Sequence, residues 1–127
     1  MTFISEKERF FGGLFGAAAG DAAGLTFEGS MPADRRGLRI TGGGQFGLPA
    51  GAVTDDTLMT LALLQTCLSC GTFDRDAFLL RMTAIVRREP ETFGRTTKTL
   101  CTLLEQGCTP GPAVRAVDAL FGSRTNG

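Results

Sequence analysis

Two adjacent carboxylates, Asp55 and Asp56, open a long apolar stretch in the segment GAVTDDTLMTLALLQ, residues 51–65. Thr54 precedes them, so three consecutive side chains offer only hard oxygen atoms, which favour Mg²⁺ or Mn²⁺ over zinc. The same residues also suit a helix start, because a threonine cap and acidic side chains meet the positive end of the helix dipole. The segment alone therefore leaves two interpretations open, a helix cap and a metal site.

Two further acids occupy unusual positions nearer the N-terminus. Asp21 interrupts the glycine- and alanine-rich segment GAAAGDAAG, residues 16–24, and Glu28 follows as this segment ends. A carboxylate buried in such surroundings must be paired or hydrogen-bonded. Each of the two acids could also be an ordinary residue facing solvent.

The composition limits the available chemistry. The 127-residue chain has no histidine, which excludes Ser–His and Cys–His catalysis and imidazole metal ligands. Its 13 Lys and Arg residues balance 13 Asp and Glu residues, so no net basic charge favours a nucleic-acid partner. Three of the four cysteines, Cys67, Cys70, Cys101 and Cys108, lie inside or at the end of predicted helices. We therefore predict packing as small hydrophobes, with a zinc or redox role as the alternative.

The elements that position these residues are predicted to be helices. Apolar residues recur at helical spacing in five segments, and no strand pattern is convincing, which indicates an all-α, multi-helix bundle in a single domain, residues 1–127. The predicted helices start at Ser5, Thr54, Asp74, Arg95 and Pro110, and the later four end near Gly71, Pro90, Gln106 and Phe121. The second is apolar nearly all round, so we predict that it is central.

Glycine is concentrated in two places. It recurs every fourth residue in the first helix, at Gly12, Gly16, Gly20 and Gly24, which would let another helix or a ligand approach the backbone closely. Residues 30–53 form a long glycine-rich segment that we predict to be a mobile loop. Its Gly42-x-Gly44-x-x-Gly47 pattern matches the dinucleotide fingerprint only by letter, because the flanking strand and helix are missing.

The N-terminal segment resembles a secretory signal in its basic and apolar residues. Glu6 and Glu8 cancel the positive charge, and glycines dilute the apolar part, so we reject that interpretation. No uninterrupted apolar run approaches the roughly 20 residues that span a bilayer. We expect a cytoplasmic protein without a membrane partner.

The acids and glycines together resemble the ADP-ribosylglycohydrolase family, which includes the dinitrogenase reductase-activating glycohydrolases and the ADP-ribosyl-acceptor hydrolases. The resemblance rests on Gly16-Ala-Ala-Ala-Gly20-Asp21-Ala-Ala-Gly24-Leu-Thr-Phe-Glu28 and on Pro49-Ala-Gly51-Ala-Val-Thr54-Asp55-Asp56-Thr57. Later stretches also fit, namely Arg95-Thr96-Thr97, Glu105-Gln106-Gly107 and Ser123-Arg124-Thr125-Asn126-Gly127. The resemblance implies an all-α fold and hydrolysis of the ribosyl C1 bond of ADP-ribosylated substrates.

The resemblance also implies roles for individual residues. Thr54, Asp55 and Asp56 would be ligands to a pair of Mg²⁺ or Mn²⁺ ions, and Asp55 and Asp56 would thereby serve catalysis. Glu28 would be the glutamate beside the bound ribose, also with a catalytic role, and Asp21 would support the metal ligands from behind. Asn126 and Gly127 would begin the loop that cradles ADP-ribose. The partner would be an ADP-ribosylated protein or a small ADP-ribose derivative.

The chain departs from the family in length. Family members are typically more than twice as long and have a second, Asp-x-Asp-Thr ligand cluster far downstream. We therefore expect the N-terminal half of such an enzyme, which binds metal weakly, has little activity alone, and associates with itself or with a complementing C-terminal half. The alternative is a non-catalytic helical module of the family that binds a nucleotide or a partner.

Overall fold

The computed structural model describes residues 4–29 and 39–122. Within these ranges the chain forms five α-helices: α1 (Glu6–Gly24), α2 (Asp55–Cys70), α3 (Arg75–Arg88), α4 (Arg95–Glu105) and α5 (Pro110–Phe121). The strands described are β1 (Gly42–Gly43) and β2 (Leu48–Pro49), two residues each. The all-α prediction is confirmed.

The chain divides into two compact units, residues 1–58 and residues 59–127. The division falls inside α2, so the first turn of that helix belongs to the first unit. The predicted functional acids of the described chain, Asp21, Glu28, Asp55 and Asp56, all belong to the first unit.

The first unit begins with a capping box. The hydroxyl of Ser5 accepts a hydrogen bond from the Glu8 amide at 3.2 Å, and the Glu8 carboxylate accepts one from the Ser5 amide at 2.8 Å. The two bonds satisfy amides that the start of a helix leaves free. This sequence prediction is confirmed.

The glycines of α1 have no close neighbour among the described residues. A Cβ atom added at Gly12, Gly16, Gly20 or Gly24 would meet nothing within 4 Å. The expected close approach of another helix or of a ligand to these glycines therefore stays a prediction.

Residues Glu6–Phe27 make one helical segment that is long and apolar enough, by length and composition only, to cross a membrane. The prediction that no segment reaches this limit is wrong. It considered uninterrupted apolar runs, whereas the limit is reached by the mean hydropathy of a segment that includes alanines and glycines. The segment nevertheless contains Asp21, whose carboxylate is held by polar groups of the α2 start, as described below.

The glycine-rich segment contains regular structure where it is described. Gly42 pairs with Pro49 and Gly43 with Leu48 in an antiparallel hairpin, and residues Gly44–Phe46 form a short 3₁₀ turn between the strands. The segment predicted as a loop thus contains a short hairpin, and its mobility stays a prediction. The Gly42-x-Gly44-x-x-Gly47 pattern lies within this hairpin and its 3₁₀ turn, not between a long strand and a helix.

The second unit packs α3, α4 and α5 around a small apolar core, whose buried side chains include Met82, Val86, Phe93, Cys101, Ala113 and Val117. The carboxylate of Asp74 caps α3 by accepting from the Ala77 amide at 2.7 Å. In α2, Ala62 and Thr66 are fully buried while Leu63 and Leu68 are exposed. The sequence predicted a central helix, apolar nearly all round. The structure instead buries α2 along one face.

The four cysteines are all free thiols with different surroundings. Cys101 is buried, Cys67 is partly buried, and Cys70 and Cys108 are exposed. The packing prediction is therefore right for Cys101 and wrong for the two exposed thiols. Burial raises the pKa of the Cys101 thiol.

The thiols should react with an alkylating reagent in a defined order. Cys70 and Cys108 should react first, and Cys101 last, because a buried thiol with a raised pKa has little reactive thiolate. Mass spectrometry after timed treatment with iodoacetamide at pH 8 measures the order. Rapid labelling of Cys101 in the folded chain would contradict the packing described for α4.

Candidate functional site

The carboxylate of Asp21 links the end of α1 to the start of α2. Its Oδ1 accepts from the Thr54 hydroxyl at 2.6 Å, and its Oδ2 accepts from the Thr54 amide at 2.8 Å. Oδ2 also accepts from the Thr57 amide at 3.2 Å and from the Thr57 hydroxyl at 2.5 Å. Four donors from one helical turn thus converge on the Asp21 carboxylate. These donors are the partners that an acid buried in this segment needs.

These hydrogen bonds change the helix-cap interpretation. Thr54 was expected to cap α2 by accepting an amide hydrogen, but its hydroxyl donates to Asp21. A hydroxyl has one hydrogen, so this bond leaves the oxygen lone pairs of Thr54 for another partner. Asp21 supplies the negative charge at the helix start, where the dipole favours it. The Thr57 amide, which a Thr54 cap would have satisfied, is thus bonded to Asp21.

The charge of Asp21 is stabilised by its donors. Burial alone would raise its pKa, but the hydrogen bonds from Thr54 and Thr57 outweigh burial and hold the pKa below its usual value. An aspartate with a lowered pKa in the folded state stabilises the fold above its unfolded pKa and loses this contribution as the pH falls.

Asp55 and Asp56 line one cavity. Its volume is about 550 Å³, and it is bounded by Ala17, Gly20, Asp21, Gly24, Leu25, Phe27, Glu28, Thr54, Asp55 and Asp56. Adjacent helical residues point about 100° apart, and accordingly Asp55 is half-buried while Asp56 is exposed. Four acids therefore surround one space, and its lining within residues 4–29 and 39–122 includes no lysine or arginine.

The crowding of the acids changes the pKa of Asp55. Burial raises the pKa of its carboxyl, and the Asp56 carboxylate raises it further, with a smaller contribution from Asp21. These causes outweigh hydrogen bonds from the Asp55 backbone and the Thr54 side chain, which lower the pKa. A bound cation would also favour the ionised form. The donor set of Thr54, Asp55 and Asp56 consists of hard oxygens only, so these residues fit Mg²⁺ or Mn²⁺ chemically.

The described residues do not complete a metal site by themselves. Among residues 4–29 and 39–122, no three His, Cys, Asp or Glu side chains are placed so that they could hold one ion. Any ion at Thr54 and Asp55 would take its remaining ligands from water, from substrate or from segments outside these ranges.

Glu28 enters the cavity from the turn that follows α1. Its carboxylate is exposed and accepts a hydrogen bond from the Gln45 side-chain amide at 2.9 Å. Sequence analysis identified neither Gln45 nor the role of Thr57. The spacing of Thr54 and Thr57 could have suggested one helical face, but no local pattern marks Gln45.

The resemblance also drew on residues 95–97 and 123–127. Asn126 and Gly127, expected to contact ADP-ribose, lie outside the described residues. Arg95, at the start of α4 in the second unit, lies with its guanidinium 5.6 Å from the centre of the Phe121 ring. This contact gives Arg95 a packing role within its own unit.

Replacing Asp21 by asparagine should destabilise the chain by about 1–3 kcal/mol at pH 7, because the amide cannot accept all four hydrogen bonds. Chemical denaturation monitored by circular dichroism measures the loss. Asp74→Asn is the matched control, and it should change stability by only a few tenths of a kcal/mol, since asparagine caps helices as well as aspartate does.

The loss caused by Asp21→Asn should also shrink as the pH falls below about 4, where the aspartate of the unfolded chain takes up its proton. A difference that is small at pH 7, or that grows in acid, would contradict the role assigned to this carboxylate.

Replacing Asp55 by asparagine should raise the melting temperature of the metal-free chain at pH 7. Because the pKa of Asp55 is raised in the folded state, its ionised form lowers stability above that pKa, and the neutral amide removes the repulsion. Asp76→Asn, which removes an exposed acid paired with Arg75, should change the melting temperature little. Scanning calorimetry in a metal chelator measures both, and a lower melting temperature for Asp55→Asn would contradict the crowding.

Comparison with known proteins adds independent information. A family model described as ADP-ribosylglycohydrolase matches residues 4–127. The chain is 48% identical over 75 residues to an ADP-ribosylarginine hydrolase Tri1 of Pseudomonas putida, an alignment that covers 58% of this chain and 20% of that protein. It is 41% identical over 80 residues to the ADP-ribosyl-[dinitrogen reductase] glycohydrolase of Rhodospirillum rubrum, over 58% of this chain and 27% of that protein.

A second ADP-ribosylarginine hydrolase Tri1, from Serratia proteamaculans, is 43% identical over 68 residues, covering 53% of this chain and 18% of the relative. The matched region is thus less than a third of the length of each of these relatives. The family match, in contrast, spans nearly all of the chain and includes every acid of the cavity. The chain belongs to the ADP-ribosylglycohydrolase family.

Proposed function

We propose that this chain takes part in hydrolysis of the bond between the ribosyl C1 atom of ADP-ribose and an acceptor group, and that it supplies one half of the active site. The observation that carries the proposal is the single cavity that brings Thr54, Asp55 and Asp56 together with Glu28. Family membership supports the reaction class. By itself the chain would have little or no hydrolase activity.

The site would hold Mg²⁺ or Mn²⁺, two ions in its complete form, through Thr54, Asp55 and Asp56. When bound, the ions would supply the positive charge that orients the ribose hydroxyls and activates water. Asp21 would support these ligands, because it accepts the one hydrogen of the Thr54 hydroxyl. This arrangement would keep the oxygen lone pairs of Thr54 facing a cation.

Glu28 would act beside the ribose. Cleavage of a ribosyl bond builds positive charge on C1 and the ring oxygen, and a nearby carboxylate stabilises that charge. Glu28 lines the same cavity as the two aspartates but comes from a different element. The substrate would thus lie between the turn after α1 and the start of α2. Asn126 and Gly127 remain proposed contacts of ADP-ribose.

For the acceptor we propose arginine on a protein substrate. Two of the relatives are named ADP-ribosylarginine hydrolases, and a third is named for ADP-ribosylated dinitrogen reductase. Four acids and no basic residue are among the described residues that line the cavity, and the field of these acids would favour a cationic leaving group such as a guanidinium. A cytosolic location and the absence of nucleic-acid and membrane partners also stay predictions.

Titration calorimetry tests the proposal on the chain itself. Addition of MnCl₂ should allow ADP-ribose to bind, and the variant Asp55→Asn with Asp56→Asn should weaken that binding by about ten-fold or more, since losing metal-site contacts typically has effects of this size. The matched control, Asp76→Asn with Asp118→Asn, removes the same charge outside the cavity and should leave the affinity unchanged.

Two results would count against the proposal. Binding of ADP-ribose that is indifferent to both MnCl₂ and the two cavity substitutions would favour the non-catalytic nucleotide-binding module. Loss of affinity in the control variant as large as in the cavity variant would show that only the overall charge of the chain matters.

A further inference from the structure

Glu28 is an exposed side chain on a turn, yet the proposed reaction requires its carboxylate in one place. A free glutamate samples several rotamers, and fixing it in one of them costs side-chain entropy. The described contact that fixes it is the hydrogen bond from the Gln45 amide, 2.9 Å long. This bond joins residues that are far apart in sequence, so its geometry depends on how the two segments meet.

The segment that carries Gln45 is seated against the Glu28 turn by its backbone. The amide of Gly42 donates to the Thr26 hydroxyl at 3.2 Å. A Cβ atom at Gly44 would lie 1.9 Å from the carbonyl oxygen of Leu25, so only glycine allows this approach. The residue before Gln45 therefore touches the turn that leads into Glu28.

The side chain of Gln45 then passes closely over Gly29. A Cβ atom added at Gly29 would lie 3.1 Å from the Gln45 Cβ and 3.2 Å from its Oε1. Gly29 also has a φ of 75°, which side-chain-bearing residues rarely adopt. The turn thus leaves room for the glutamine on the path by which it reaches the carboxylate.

We propose that Gln45 is the positioning residue for Glu28 in the ADP-ribose site, an inference that rests on the proposed function. A glutamine amide donates a hydrogen bond to a carboxylate without adding a charge. A lysine or arginine at this position would place a formal positive charge near the atoms where positive charge develops during cleavage. The neutral donor therefore fixes the carboxylate and leaves its negative charge available to the substrate.

The length of the side chain is part of the argument. Asparagine has the same amide but is one methylene shorter, so from the same backbone position it cannot hold the same 2.9 Å contact. Methionine has nearly the shape of glutamine and no hydrogen-bond donor. These two substitutions separate the reach of the residue from its chemistry.

The test is a double-mutant cycle on the full chain, with ADP-ribose titrated in the presence of MnCl₂. Gln45→Met should weaken binding by roughly ten-fold, the lower end of the effect of losing one hydrogen bond to a charged group. Gln45→Asn should weaken it similarly. In a Glu28→Ala background the same Gln45→Met change should have no further effect, because Gln45 acts only through Glu28. Gln65→Met, the same exchange on exposed α2 surface, is the matched control and should have no effect.

A second measurement tests the contact without ligand. In the nuclear magnetic resonance spectrum of the free chain, Glu28→Ala should shift the side-chain amide signals of Gln45 and leave those of Gln65 unchanged. Melting temperatures of the Gln45 variants should stay close to that of the wild type, which separates positioning from a role in folding.

The outcomes distinguish this inference from the function on which it rests. If Gln45→Met leaves the affinity unchanged, or weakens it equally with and without Glu28, the positioning role is overturned while the function stands. Unshifted Gln45 amide signals in Glu28→Ala overturn it as well. If the contact is present but the wild-type chain does not bind ADP-ribose with MnCl₂, the proposed function fails, and the inference fails with it.

Discussion

The hydrogen bonding of Asp21 fixes the geometry of the whole candidate site. A single carboxylate from α1 accepts two backbone and two side-chain hydrogen bonds from the first turn of α2. The helix dipole and the four donors together offset the loss of hydration that a carboxylate suffers among glycine and alanine. Because this contact sets where α2 begins, it also sets where Asp55 and Asp56 enter the cavity.

Asp21, an acid distant in sequence, accepts the amide hydrogens of Thr54 and Thr57 at the start of α2. The two local acids, Asp55 and Asp56, line a cavity in which burial and mutual repulsion raise the pKa of Asp55. Repulsion between neighbouring carboxylates lowers the stability of the fold unless a bound cation neutralises them. Such sites often serve function at some expense of stability. The Glu28 carboxylate, which accepts a hydrogen bond from Gln45, adds a further negative charge to the lining of this cavity.

The sequence predicted the helices well because their signals are local. The capping residues Ser5 and Asp74 and the breakers Gly71 and Pro90 stand where the described helices start and end. The bond from Asp21 to Thr54 and Thr57 could not be read from periodicity, since it joins residues more than thirty positions apart. The hairpin in the glycine-rich segment was missed for the same reason: the approach of Gly44 to Leu25 is a tertiary contact that composition does not reveal.

The central claim is that Asp21 holds Thr54, Asp55 and Asp56 in place as the oxygen ligands of a divalent cation. A crystal of the chain soaked in MnCl₂ and measured at the manganese absorption edge tests it most directly. The account predicts an anomalous density peak within coordination distance of the Thr54 hydroxyl and the Asp55 carboxylate, with the Asp21 contacts intact. Absence of a peak in the cavity, with both carboxylates turned towards bulk water, would contradict it.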